Sequence, residues 1–247
     1  MANEYNYDVD RPIKGFVRNQ LWSRVKGTAK KVLLLPGRDC LDIKAGIDAG
    51  KINPKTTELY LFESRKDIAK IIRANCKKMG LRHAYIYPTS VHKEVGKDVI
   101  ESVENFDLMF FDFCGYVKPE IIDFLEWLCP KTQDPANIIA FTFSVGLRNN
   151  PLYNLDPQFN KTFHPPTGSI CPWSSETKDK AAWTAQKTLK TIKKTDKDLI
   201  DFIHYNDTGS PMLFFSIDFT EGNLQGLSPY QKAWITRRHN SAMKKAA

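Results

Sequence analysis

Residues 199–219 read LIDFIHYNDTGSPMLFFSIDF, and this stretch decides the fold. Two runs rich in apolar and aromatic residues, Leu199–Tyr205 and Met212–Phe219, flank the turn sequence Asn206-Asp207-Thr208-Gly209-Ser210-Pro211. So short a connection joins antiparallel strands, because a parallel pair needs a crossover of roughly a dozen residues or more. Just upstream, Ala182, Ala185, Leu189 and Ile192 recur at helical spacing and predict a helix leading into the hairpin.

Further upstream, short apolar runs alternate with helical patterns. Val32–Leu35, Leu59–Phe62 and Phe106–Phe111 each read as a buried strand, and Ala84–Tyr87 and Ile138–Phe143 as two further strands. Ile68, Ile72, Cys76 and Met79 place a helix that Gly80 ends. Val95, Val99, Ile100 and Val103 mark a short one, and Pro119 opens another with Ile121, Ile122, Leu125 and Leu128 as its stripe. The order β-α-β-α-β-α-β-α-β implies a parallel α/β sheet with helices on both faces and right-handed connections. Phe16–Val25 reads as an extra helix over one edge. Between 148 and 173 stand five prolines and four asparagines without period, a long insertion of the kind that is usually functional or disordered. The expected organisation is a basic N-terminal extension over 1–29, an α/β domain over 30–220 carrying that insertion, and a basic tail over 221–247.

The 247 residues hold 36 Lys plus Arg against 28 Asp plus Glu, a net charge of +8. The excess lies at the ends. Arg11–Arg38 contains eight basic residues and no acid, and Gly222–Ala247 five and no acid. Such a distribution suits either a polyanion partner or a solubilising surface. Five cysteines, none closer than 15 residues to the next, exclude a CxxC metal site and lend no support to a disulfide framework. No apolar run approaches the roughly 18 residues of a membrane span. The polar, acidic start MANEYNYDVD does not read as a secretory signal, so a cytoplasmic or host-cell interior location is expected.

Five β-α units, one more helix and an antiparallel hairpin resemble the class I S-adenosylmethionine-dependent methyltransferases over about Lys30–Thr220. In that family the hairpin inserts the seventh strand between the fifth and sixth, which ordinary dinucleotide-binding domains lack. The resemblance implies S-adenosylmethionine as cofactor. The loop after the first strand, Leu35-Pro36-Gly37-Arg38-Asp39-Cys40-Leu41-Asp42, corresponds to the family's Gly-rich loop but has one glycine where two or three are usual. Pro36 and Gly37 would approach the methionine end of the cofactor, and Asp39 or Asp42 would accept from its ammonium; Asp39 alternatively caps the next helix. Glu63, with Ser64 beside it, follows the second strand where an acid accepts both ribose hydroxyls; the alternative is a carboxylate on a helix N-terminus. Thr89 and Ser90, after the third strand, stand where the family contacts adenine, unless Ser90 is a helix cap.

The fourth strand runs into Asp112-Phe113-Cys114-Gly115-Tyr116. Amino-directed members of the family have there an Asp or Asn, two prolines and an aromatic that orient the acceptor. Asp112 matches the first position and Tyr116 the aromatic, one residue late, and the prolines are absent. These two are the expected catalytic residues, with Asp112 also at the cofactor. Cys114 is either a nucleophile of the cytosine-C5 kind or a small buried hydrophobe, and Gly115 lies beside it on the acceptor side. His164 in the insertion is the histidine best placed as a general base. Arg237 and Arg238, with Trp234 and His239, form a basic-aromatic tail suited to nucleic acid. The lysine series Lys187, Lys190, Lys193, Lys194 and Lys197 reads first as a solvated helix face. No metal site is expected. The function expected is methyl transfer to RNA or DNA, and the alternative is a catalytically silent protein of the same fold that binds nucleic acid or a protein partner.

Overall fold

The period-two pattern of the strands sorts their side chains into two cores. In the computed structural model, which describes residues 12–103, 105–113, 115–131, 136–145, 175–194, 198–207 and 210–219, seven strands form one sheet in the order β3-β2-β1-β4-β5-β7-β6. The chain runs α1 (Pro12–Arg24), β1 (Lys31–Leu34), α2 (Leu41–Asp48), β2 (Glu58–Phe62), α3 (Lys66–Lys78), β3 (His83–Tyr87) and α4 (Glu94–Ser102). It continues through β4 (Phe106–Asp112), α5 (Pro119–Lys131), β5 (Ala136–Ser144), α6 (Ser175–Thr191), β6 (Leu199–Asp207) and β7 (Ser210–Asp218). β1 to β5 pair in parallel. β7 pairs antiparallel with β5 from Ile138↔Asp218 to Ser144↔Met212, and β6 antiparallel with β7. The expected hairpin is there, with both strands reaching further into the turn than the apolar runs alone indicate.

Leu33, Phe111, Ile139, Phe141, Phe143, Leu213 and Phe215 point to one face, under α4, α5 and α6. Their alternates Val32, Leu34, Phe110, Ala140 and Phe214 point to the other, under α1, α2 and α3. Phenylalanines dominate the first core, with Phe141 against Phe111, Phe143 and Phe215 at centroid separations of 5.2–6.0 Å, the range in which aromatic pairs add to plain burial.

α1 covers a face of the sheet, between α2 and the edge strand β6. Its apolar side (Val17, Leu21, Trp22, Val25) joins the second core. Two polar clasps fix it. Arg18 Nε donates to Asp42 Oδ1 at 3.0 Å, and Trp22 Nε1 donates to the Asp42 carbonyl at 2.8 Å. At the other end the buried Asp201 carboxylate accepts from Gln20 Nε2 (2.8 Å), Arg24 Nε (3.0 Å), Arg24 Nη2 (2.7 Å) and Ser216 Oγ. A carboxylate so deep in the protein is tolerable only when its lone pairs are met in this way. Two cations of the acid-free segment 11–38 are therefore engaged inside the protein.

Among the described residues no helix is long and apolar enough to cross a membrane, and no cluster of three or more His, Cys, Asp or Glu can hold a metal ion. Cys114, His164, Arg237 and Arg238, the insertion and the C-terminal tail lie outside the described residues.

Candidate functional site

The chain passes from β1 outward to β2 and β3, then returns to β4 on the far side of β1. That reversal is the switch point at which open α/β sheets bind ligands, beyond the carboxyl ends of the strands. Four loops leave this edge, namely those after β1, β2, β3 and β4. They carry Pro36, Gly37, Asp39, Glu63, Ser64, Thr89, Ser90, Asp112, Gly115 and Tyr116, so the sequence-derived candidates within the described residues all come from one edge of the sheet.

The first loop is held from both sides. Leu35 N–H donates to the Phe110 carbonyl at 3.3 Å, extending β1 along β4, and Asn75 Nδ2 of α3 donates to the Arg38 carbonyl at 3.0 Å. Cys40 closes the loop in the left-handed region (φ 53°, ψ 35°) as the N-terminal cap of α2, with no side-chain hydrogen bond to the helix. It is fully buried, and its thiol donates to the Arg38 carbonyl at 3.9 Å. The neighbouring Cys76 thiol and burial push the Cys40 thiol above its ordinary pKa, which keeps it protonated and inert. Gly37 is exposed, and a Cβ built on it meets nothing within 4 Å. Neither packing nor a left-handed backbone thus requires glycine there.

The two acids of this loop part company. Asp42 is buried and turned to α1, where Arg18 holds it, so it is not the acceptor for a ligand's ammonium. Asp39 is half-buried with its Oδ2 closed off from solvent. It does not cap α2, because that position belongs to Cys40.

Glu63 follows β2 directly, and its N–H donates to the Tyr87 carbonyl at 3.1 Å. Its Oε1 accepts from the Arg65 N–H at 2.8 Å and from Ser64 Oγ at 3.4 Å. Arg65 is the N-terminal cap residue of α3, so one carboxylate oxygen supports the start of that helix. Oε2 makes no hydrogen bond among the described residues. The helix N-terminus thus takes Oε1, as the second reading of Glu63 expects.

After β3, the Thr89 N–H donates to the Tyr87 carbonyl at 2.9 Å and the Lys93 N–H to the Ser90 carbonyl at 3.1 Å. The helix cap is Lys93, with no side-chain capping bond, so Ser90 is not the cap. Gly96 fixes this loop, and no reading of the sequence singled it out. A Cβ there would lie 2.1 Å from the Val91 carbonyl oxygen and 2.6 Å from its carbon. Only glycine lets the loop backbone rest on the first turn of α4. Its trace in the sequence is a glycine early in a helical pattern, where it lowers helix propensity with no turn to explain it. Val95, one of the apolar positions that located α4, is 53% exposed.

Asp112 ends β4 opposite Thr142. Phe113 stacks on Phe111 and Phe143, and the Ser144 N–H donates to the Gly115 carbonyl at 2.8 Å. These contacts anchor both sides of position 114. Tyr116 is half-buried, with Lys118 Nζ 5.7 Å from its ring centroid. Glu63 and Asp112 thus extend from the two neighbours of β1, about 10 Å apart across the sheet, with the Gly37 loop between them.

No protein-family model matches the sequence, and no curated protein matches it. Among solved structures, cofactor-bound Rv0187 from MTB superposes with a TM-score of 0.50 and 13% identity, over 87% of this chain and 84% of that one. An O-methyltransferase from Bacillus cereus in complex with SAH gives 0.50 and 13%, over 85% and 82%. Together with the β5-β7-β6 insertion, these decide the architecture. The chain has the class I methyltransferase fold. Within the methyltransferase fold, the loops after β1 and β2 are those expected from the sequence at the cofactor, and the loop after β4 is the one expected at the acceptor.

Proposed function

We propose that this protein is an S-adenosylmethionine-dependent methyltransferase that acts on a nucleic acid, RNA or DNA. The observation that carries the reading is Glu63: a carboxylate at the end of β2 with one oxygen fixed on α3 and the other left for a ligand, beside a loop whose glycine faces open space. The residues present fit the cofactor. Glu63 Oε2 is suited to accept from the ribose diol, the Gly37 backbone to lie along the ligand, Asp39 to face its ammonium, and Thr89 and Ser90 to meet the adenine. The cofactor, when bound, supplies an activated sulfonium methyl group. What remains for the protein is alignment and proton removal. Asp112 accepts a hydrogen bond from the acceptor and Tyr116 stacks against it, which fixes the acceptor atom in line with the methyl.

The net charge of +8 and the lysine-aromatic contacts at the acceptor side favour a polyanionic substrate. The lone glycine of the first loop favours the second reading, a silent protein of this fold that binds nucleic acid without transferring a methyl group. Transfer of labelled methyl from S-adenosylmethionine to RNA and DNA pools tests the choice. Wild type should label one pool, and Asp112→Ala should abolish labelling while leaving affinity for S-adenosylhomocysteine within about threefold. Cys114→Ser should stay active. Undiminished transfer by Asp112→Ala would remove the proposed acceptor site.

A further inference from the structure

Beside the acceptor loop, three lysines lie near enough to one imidazole to act on its charge. His92 lies half-buried in the turn before α4, and the charged groups that face it are Lys93, Lys97, Lys118 and Glu120. Lys93 caps α4, Lys97 stands one turn further on, Lys118 immediately precedes α5 and Glu120 lies in its first turn. Among the described residues Lys93 and Lys97 form no ion pair, and Lys118 meets Glu120 only at 4.0 Å. The arrangement is nonetheless ordered. Lys97 Nζ sits 5.4 Å from the Trp127 centroid and Lys118 Nζ 5.7 Å from that of Tyr116, so two of the ammonium groups are held against rings.

Around His92 three cations act against one carboxylate, Glu120, while Glu94 and Asp98 stand beside Lys93 and Lys97 on α4. Burial, and then the charge of Lys93, hold His92 below its ordinary pKa, so at neutral pH the imidazole is uncharged. An arriving dianion or phosphodiester would reverse that balance. It would neutralise the lysines and favour a proton on His92, which becomes a further donor. The presence of Tyr116 next to Lys118 separates a nucleotide from a bare anion. A ring with a cation over one face matches a base on its other face and that nucleotide's phosphate at the cation, the pairing by which single-strand binders hold their ligand.

We infer that His92, Lys93, Lys97 and Lys118 bind a phosphate of a single-stranded nucleic acid whose neighbouring base stacks on Tyr116, and so deliver the acceptor to Asp112. This rests on the nucleic-acid reading above and gives it a surface within the folded domain, apart from the basic ends of the chain.

The test is fluorescence anisotropy of a labelled single-stranded oligonucleotide, with calorimetry of S-adenosylhomocysteine on the same preparations. Lys93→Gln/Lys118→Gln should weaken oligonucleotide binding about tenfold at low salt and flatten the log–log salt slope by about 0.7, one phosphate's worth, without changing S-adenosylhomocysteine affinity. Lys97→Gln should act in the same direction, and bound oligonucleotide should raise the His92 titration midpoint read by NMR. If wild type binds the oligonucleotide and the double variant binds it equally well, the nucleic-acid reading stands and this site falls. If wild type binds no oligonucleotide, both fall. Equal displacement of the oligonucleotide by inorganic phosphate or by polyglutamate would overturn the assignment to a nucleotide.

Discussion

Replacing Gly96 by alanine adds one methyl group where the loop after β3 lies on α4. The new Cβ would stand 2.1 Å from the Val91 carbonyl oxygen and 2.8 Å from the Val91 Cα. An ordinary carbon–oxygen contact is about 3.3 Å, so backbone must retreat by about 1.2 Å. The obstacle is main chain, and the Val91 side chain is itself buried in the core beneath α4 and α5, so no rotamer change relieves it. Overpacking of this kind costs about 1–3 kcal/mol. The helix-propensity gain of alanine offsets at most about 1 kcal/mol, and less in a first turn. The net expectation is a loss of about 1–2 kcal/mol, or roughly 2–8 °C in Tm for a chain of this size. Because the displaced loop carries Thr89, Ser90 and His92, affinity for S-adenosylhomocysteine should fall with it. Urea and thermal unfolding measure the first effect and calorimetry the second. An alanine variant as stable as wild type would refute the close contact between Val91 and α4.

Gly37→Ala should behave in the opposite way. Its Cβ meets nothing, so unfolding should be unchanged or shifted up by about 0.4–1 kcal/mol, while S-adenosylhomocysteine affinity drops as the methyl intrudes on the ligand; unchanged affinity would remove the loop from the site. For His92, the lowered folded-state pKa means that the unfolded chain takes up the proton first as pH falls. Its contribution to stability is therefore complete above its ordinary pKa of about 6.5 and is lost as pH falls through the lower folded value. Urea midpoints at neutral and mildly acid pH should converge less in wild type than in His92→Gln, with the wild type losing more stability on acidification; equal losses would contradict the burial of the imidazole.

The strands and the closing hairpin were legible because their apolar runs are continuous and local: Val32–Leu35 and Phe106–Phe111 need no distant partner to be read. Glu63 was legible for a similar reason, since strand, acid and helix follow one another in the chain. Other features depend on contacts between residues far apart in sequence. Nothing near Asp42 signals that Arg18, 24 positions earlier, engages it, nor that Arg24 is spent on Asp201, 177 positions later. The basic segment 11–38 therefore looked more like a single surface than it is. The cap of α2 by a left-handed Cys40 and the bare Cβ position of Gly96 are properties of backbone packing, and the nearness of Lys93, Lys97 and Lys118 to His92 requires α4 and α5 to lie side by side.

The most direct measurement is a calorimetric titration of S-adenosylhomocysteine into wild type and Glu63→Ala. Only Oε2 of Glu63 is left for a ligand, and losing a charged acceptor of hydroxyl groups costs about 1.5–3 kcal/mol. The expected result is saturable binding to wild type and an affinity about 10- to 150-fold weaker for the variant, with unfolding changed only by the loss of the Arg65 N–H bond. No heat from wild type at millimolar ligand, or equal affinity in the two proteins, would contradict the assignment of this sheet edge as a nucleoside-cofactor site.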